Sequence, residues 1–247
     1  MISPTLFAGS FAGFALAITF IWAGLTAIRR HSDESDDVRP MLLASWWWGV
    51  AAYIGLSWGV LNLFAALDIT PLPLFVVVEG LAILPLLVGL LGLSLYLART
   101  WPDPAAAPAR FLALAWFVGI VGLIIATYAG LDPFGVQTGE WDTQLLFAPA
   151  ANETLTTLTA YAIAVPLVLA AVAALRPAPF GRRRHAYEAT AVALFFALIG
   201  IGGNSWDAML GVVVRLAMTL ALAALVLLAY ARPSAAILPQ HAFHGAK

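Results

Sequence analysis

Long apolar segments, separated by short polar ones, run through almost the whole chain. Seven of them reach the roughly 20 residues that an α-helix needs to cross about 30 Å of hydrocarbon. They lie at residues 5–28, 41–67, 72–98, 111–129, 155–175, 187–203 and 208–230. Since lipid offers no partner to unpaired backbone groups, each segment is predicted to be helical. The pattern predicts an all-α integral membrane protein, a single seven-transmembrane-helix bundle at 1–232 followed by a cytoplasmic tail at 233–247.

Basic residues mark one side of the predicted membrane. They lie in the first, third and fifth loops and in the tail, whereas the even-numbered loops carry only acidic charges. The basic set is Arg29, Arg30, Arg39, Arg99, Arg110, Arg176, Arg182, Arg183, Arg184, Arg232 and Lys247. Positively charged loops stay in the cytoplasm, so we expect the N-terminus outside and the C-terminus inside. No basic region precedes the first span, which is therefore interpreted as retained in the plasma membrane and not as a signal peptide.

Composition supports the membrane environment and narrows the chemistry. Of 247 residues, 62% are hydrophobic and 10% are charged, against about 25% charged in soluble proteins. The chain has no cysteine, and its four histidines all fall in predicted loops or the tail, so no span carries a haem ligand. We predict no cofactor and no metal. The expected partner is the lipid bilayer, and no nucleic acid is expected.

Two charges fall well inside predicted spans, Glu79 in the third and Arg215 in the seventh, whereas Glu188 lies near the inner end of the sixth. From the outer ends of their spans, Glu79 and Arg215 lie roughly 9 Å and 12 Å deep, at 1.5 Å per residue. Intramembrane charges usually face the bundle interior and pair with each other, so a Glu79–Arg215 ion pair is predicted. Asn62, Tyr128 and Tyr161 also fall in the outer halves of their spans. Together the five residues form the predicted outward-facing polar site.

The third-span carboxylate Glu79, followed six residues later by Pro85 in an N-out chain of seven spans, resembles the microbial rhodopsin family. In that family the carboxylate is the counterion of a retinal Schiff base on a seventh-helix lysine. The resemblance implies that Glu79 holds the counterion position, that Pro85 is the third-helix proline and that Arg215 lies near the lysine position. The only lysine is Lys247 in the tail, so the resemblance implies an opsin-like bundle without covalent retinal.

Glycine and tryptophan patterns add predictions about packing. The motifs Gly9-x-x-x-Gly13 and Gly55-x-x-x-Gly59 allow helices to approach closely, either within the chain or in a dimer. Tryptophans concentrate near the ends of the spans. They are Trp22, Trp46, Trp47, Trp48, Trp101, Trp141 and Trp206. Indoles prefer the headgroup level, which favours an aromatic belt. A pigment or quinone pocket is the alternative use.

The loop at 130–154 is the longest, and it is interpreted as an outer cover or partner contact, or as a simple connector. No metal-ligand cluster, buried Ser–His pair or phosphate-binding motif is present, so the protein is predicted not to be an enzyme. Two functions remain. One is a receptor- or carrier-like bundle that binds a small ligand or ion at the outer polar site. The other is an accessory or scaffold subunit of a larger membrane complex or homo-oligomer, in which Glu79–Arg215 is a structural ion pair.

Overall fold

The computed structural model describes residues 3–31, 39–99, 106–129, 133–141, 143–175, 188, 190–192 and 194–195. These residues are mostly helical. The helices are α1 Pro4–His31, α2 Arg39–Tyr53, α3 Leu61–Ala66, α4 Leu72–Ala98, α5 Ala106–Ala129 and α6 Pro149–Leu175. A π-helical segment, Ile54–Val60, joins α2 directly to α3, so the three form one continuous helix. A two-stranded antiparallel hairpin, β1 Gly135–Thr138 and β2 Thr143–Leu146, precedes α6.

Within the described ranges, four helices are long and apolar enough to cross a membrane. They are Pro4–Thr26, Met41–Ala66, Leu72–Ala98 and Pro149–Leu175. The first three agree with the predicted spans to within a few residues, whereas the last begins six residues earlier than predicted, because Pro149 is well suited to the first position of a helix. The structure is compatible with an all-α, multi-pass membrane protein.

The structure describes the other three predicted spans to different extents. Helix α5 contains the fourth, but its apolar stretch is the shorter Ala107–Gly122. The described residues of the sixth are helical, and Leu194 among them is buried in the main core. The seventh span and the tail at 233–247 lie outside the described residues. Seven spans and the orientation of the termini therefore stay predictions.

The outward faces of the long helices are apolar. On α4, Val77, Leu81, Leu84 and Val88 are 52% to 59% exposed, and their spacing of four, three and four residues places them on one helix face. Soluble monomers rarely expose a continuous apolar surface of this kind. The stripe is the surface that a bilayer would cover.

Helix α1 packs antiparallel to the α2–α3 helix through both glycine motifs. A Cβ atom on Gly13 would lie 2.8 Å from the Gly59 nitrogen, and one on Gly55 would lie 3.2 Å from the Ala17 Cβ atom. The backbones therefore approach as closely as glycine allows. Of the two predicted uses, the structure shows packing within the chain.

The main core corrects the aromatic-belt prediction for two tryptophans. Trp46 and Trp47 are only 6% and 2% exposed, and Trp47 stacks on Phe20 with ring centroids 5.8 Å apart. The middle of α2 packs against α1 and α4 at this level, so both indoles are enclosed by protein. Trp22, which is 50% exposed, keeps the surface position that the prediction gave it.

The hairpin gives regular structure to the loop at 130–154, for which the sequence predicted an outer cover or partner contact, or a simple connector. Gly135 pairs with Leu146 and Thr138 with Thr143. Val136 and Leu145 pack against the apolar cluster formed by α1, α3 and the start of α4. We call this end of the bundle the hairpin end. The loop is therefore a packed cover for this end and not an extended connector.

Candidate functional site

The π-helical segment places a hydroxyl against the carboxylate of Glu79, which lies inside a helix long and apolar enough to cross a membrane. Ser57, near the middle of the segment, donates a hydrogen bond of 2.8 Å to Oε2 of Glu79 on α4, and the pair is partly buried. Such a hydrogen bond contributes about 0.5–1.5 kcal/mol to a neutral acceptor and about 1.5–3 kcal/mol to an ionised one. Glu79 is therefore built into the interface between two helices.

The geometry of the segment explains why its polar groups are available to neighbouring helices. The backbone N–H of Leu61 bonds to the carbonyl of Leu56, five residues earlier, which widens the turn relative to an α-helix. The buried hydroxyl of Ser10 on α1 donates to the Gly59 carbonyl at 2.7 Å. Ser10 and Glu79 thus hold the segment from opposite sides. Such wide turns occur frequently at functional sites.

Asn62 lies two residues beyond the segment and is the second residue of α3. Its side chain is 0% exposed, and among the described residues neither its amide nitrogen nor its amide oxygen has a hydrogen-bond partner. Burying a polar group without a partner costs about 1–3 kcal/mol. The Nδ2 atom lies 3.6 Å from the position of a Cβ atom on Gly9, so the unsatisfied amide faces α1.

The structure groups only some of the predicted site residues. Glu79 contacts the continuous α2–α3 helix from α4, whereas Asn62 belongs to that helix and faces α1. Tyr161 is 51% exposed on α6, and its ring packs edge-on against Trp116 of α5 with centroids 6.0 Å apart. Its described contacts therefore belong to the α5–α6 surface.

Two predicted site residues are not placed. The backbone of Tyr128 lies in α5, but its side chain is outside the described part of the chain. Arg215 lies outside the described residues altogether. The predicted Glu79–Arg215 pair and the inclusion of Tyr128 in the site stay predictions.

Sequence reasoning missed Ser57 and Ser10, the two hydroxyls that connect the π-helical segment to its neighbours. Single serines are common in apolar spans and give no signal by themselves. The signal lies in the helix register. Gly49 and Gly89 mark a close antiparallel approach of α2 to α4, and continuing that register along both helices brings Ser57 opposite Glu79.

Comparisons of the chain with family models, with curated proteins and with solved structures give no match.

Proposed function

We propose that the chain is a non-enzymatic multi-pass membrane protein that binds a small ligand or ion at Glu79, in the manner of a receptor or carrier. The single observation that supports this is the hydrogen bond of Ser57 to Glu79 inside an apolar helix pair. A charge at this depth costs several kcal/mol unless it is paired or hydrated, and such residues commonly mark ligand or ion pathways.

The chemistry of the carboxylate indicates the ligand class. A carboxylate accepts hydrogen bonds and, when ionised, attracts positive charge, so its ligands are hydrogen-bond donors and cations. The ligand is therefore a small cation or a hydrogen-bond donor such as an amine. Arg215 is the proposed competitor of this ligand for the carboxylate, because a guanidinium is itself a cationic donor. The proposed setting is an opsin-like, N-out bundle of seven helices in the plasma membrane with an outward-facing polar site, in which Pro85 follows Glu79 on α4.

Thermal unfolding in detergent tests the proposal. The probes are sodium, potassium, magnesium, ethanolamine and glycine, each titrated at constant ionic strength. A ligand that binds only the folded state stabilises it by about 2.7 kcal/mol at one hundred times its Kd. We expect at least one probe to raise Tm in a saturable way.

Substitutions at and away from Glu79 test whether the ligand binds at this carboxylate. Glu79→Gln is expected to abolish the shift, and Ser57→Ala to weaken binding about tenfold through loss of a charged hydrogen bond. Glu140→Gln is the matched control, since Glu140 is an exposed carboxylate in the hairpin turn. A shift that persists in Glu79→Gln, or no shift with any probe, would contradict ligand binding at Glu79.

A second function, that of an accessory or scaffold subunit, is favoured by the surface of α5. Phe111, Leu112 and Val118 are 63% to 69% exposed, and beside Gly119 and Gly122 a Cβ atom would meet nothing within 4 Å. This surface fits either lipid or a neighbouring helix of another chain.

A charge-swap series separates the two functions. If Glu79→Gln and Arg215→Gln each lower Tm, and the exchange Glu79→Arg with Arg215→Glu restores it, the pair is structural. Co-purification of a stoichiometric membrane partner would then support the subunit function.

A further inference from the structure

The hairpin end of the bundle is closed above the hydrogen bond between Ser57 and Glu79. Leu61 follows Ser57 by four residues and Phe75 precedes Glu79 by four, so both lie about one turn, or about 6 Å, nearer the hairpin. Leu61 is 2% exposed and Phe75 is 0% exposed, and both belong to the apolar cluster on which the hairpin packs. A ligand that came through this end would have to displace the hairpin and separate this layer.

The side of α4 that carries Glu79 is less covered. Val76, Glu79 and Ile83 share one helix face by their spacing of three and four residues, and all three are partly exposed. Gly80 lies between this face and the apolar stripe of α4, whose Leu81 is 55% exposed. A Cβ atom built on Gly80 would meet nothing within 4 Å. The described residues thus leave an approach to Glu79 from the side of the bundle, along a surface that a bilayer would cover.

The chemistry along this approach restricts the ligand. The carboxylate attracts a cationic hydrogen-bond donor, whereas the side chains around it are apolar and favour contact with apolar groups. The amine of a phospholipid does not fit, because its phosphate would have to lie beside a carboxylate of the same sign, roughly 9 Å below the outer end of the predicted span. A molecule with a single amino group at the end of an apolar chain meets both requirements.

We propose that Glu79 binds the ammonium group of an amphiphilic amine, which reaches the carboxylate sideways from the bilayer with its apolar chain beside Gly80. This ligand class rests on the proposed function, because it requires that Glu79 binds a ligand. Ser57 orients the carboxylate by donating to its Oε2 atom. The hairpin is a fixed cover over the site and not its entrance.

Thermal unfolding with ethylamine, butylamine and hexylamine, compared at equal free concentrations, tests the ligand class. We expect a saturable rise in Tm, with an affinity that increases about fourfold for each methylene group that the protein covers. Glu79→Gln is expected to remove the saturable rise. Hexanol, which has the same chain without the charge, is expected to give none. Equal affinities for ethylamine and hexylamine would overturn the proposal.

The substitution Gly80→Leu tests the route along the side of α4. Open space adjoins Gly80 and leucine is a better helix former than glycine, so Tm without ligand is expected to stay at or above the wild-type value. The added side chain covers the approach to Glu79, and we expect the hexylamine affinity to fall about tenfold, as if two methylene groups lost their contact with the protein. Gly119→Leu on α5 is the matched control, since a Cβ atom there also meets nothing within 4 Å. A wild-type affinity in Gly80→Leu would refute the sideways route.

Crosslinking of the hairpin tests the opposite route. The chain has no cysteine, so the double variant Thr5→Cys with Glu140→Cys carries its only two thiols at residues that a 2.7 Å hydrogen bond joins. A short bis-thiol reagent then fixes the hairpin to α1. We expect linked and unlinked protein to bind hexylamine at the same rate and with the same affinity. Slower or weaker binding after crosslinking would show that the hairpin end is the entrance.

The proposed function and this ligand class fail in different ways. If ethanolamine gives a Glu79-dependent rise in Tm and hexylamine binds no more tightly, the proposed function stands and the amphiphilic ligand is refuted. If neither hexylamine nor any other probe gives a Glu79-dependent rise, both are refuted. Tighter binding of hexylamine that is lost in Glu79→Gln and weakened in Gly80→Leu supports both.

Discussion

The close approach of α1 to the π-helical segment gives a sharp prediction for Gly13→Ala. The added Cβ atom would lie 2.8 Å from the Gly59 nitrogen, 3.1 Å from the Gly59 Cα atom and 3.1 Å from the Trp58 carbonyl carbon. All three are backbone atoms, so no side chain can rotate away. The helices must separate by about half an ångström, in an interior that is packed as densely as an organic crystal.

Three contributions determine how much stability the Gly13→Ala variant is expected to lose. Overpacking costs about 1–3 kcal/mol. Separation of the helices also weakens the 2.7 Å hydrogen bond of Ser10 to the Gly59 carbonyl, at about 1 kcal/mol. Replacing a helical glycine by alanine returns up to about 1 kcal/mol. The net destabilisation is therefore about 1–3 kcal/mol. Gly80→Ala, the same chemical change beside open space, is expected to be neutral or slightly stabilising.

Denaturant unfolding in detergent measures the stability, and light scattering on the same samples measures the mass of the protein in the micelle. We expect Gly13→Ala to lose stability without a change of mass. Wild-type stability combined with a fall from dimer to monomer would show that the glycine motif packs between chains, and would refute the assignment to internal packing.

Two further substitutions test the core and the hairpin. Trp47→Ala is expected to lower the free energy of unfolding by about 3–5 kcal/mol, because the indole is 2% exposed and stacked on Phe20. Trp22→Ala is its control, since Trp22 is 50% exposed. Equal losses of stability in the two variants would argue against the burial of Trp47. Thr5→Val keeps the shape of the side chain but removes its 2.7 Å hydrogen bond to the hairpin turn, at about 1 kcal/mol. Limited proteolysis should then cut the hairpin roughly fivefold faster, and an unchanged rate would mean that the hydrogen bond does not hold the turn.

The ends of the first three spans could be predicted because length and end signals agree. The Pro71-Leu-Pro sequence begins α4, and Arg99 follows its last residue. Which face of each helix is buried could not be predicted in the same way. Helix α4 is apolar on all sides, so no amphipathic pattern separates Leu90, which is 3% exposed, from Val88, which is 57% exposed. The two core tryptophans were misplaced for the same reason.

The hairpin and the π-helical segment left still weaker signals in the sequence. Each strand is only four residues long, too short for an alternating pattern to be recognised, and the strands are fixed by Val136 and Leu145 packing on the bundle. From its sequence alone, Ile-Gly-Leu-Ser-Trp-Gly-Val, the π-helical segment is predicted to be an ordinary α-helix. Its widened turn depends on contacts with α1 and α4, which no local pattern records.

Close packing and polarity at this segment have a common cause. Where Gly13 meets Gly59 the backbones are too near for side chains to lie between them, so the interface leaves backbone carbonyls facing the neighbouring helix in place of apolar side chains. In a bilayer such carbonyls need donors from the protein itself. Ser10 supplies one to Gly59, and one turn further along the helix Asn62 faces Gly9 across the same narrow gap. The glycines that bring the helices together therefore also determine where polar groups, and any ligand they bind, are placed.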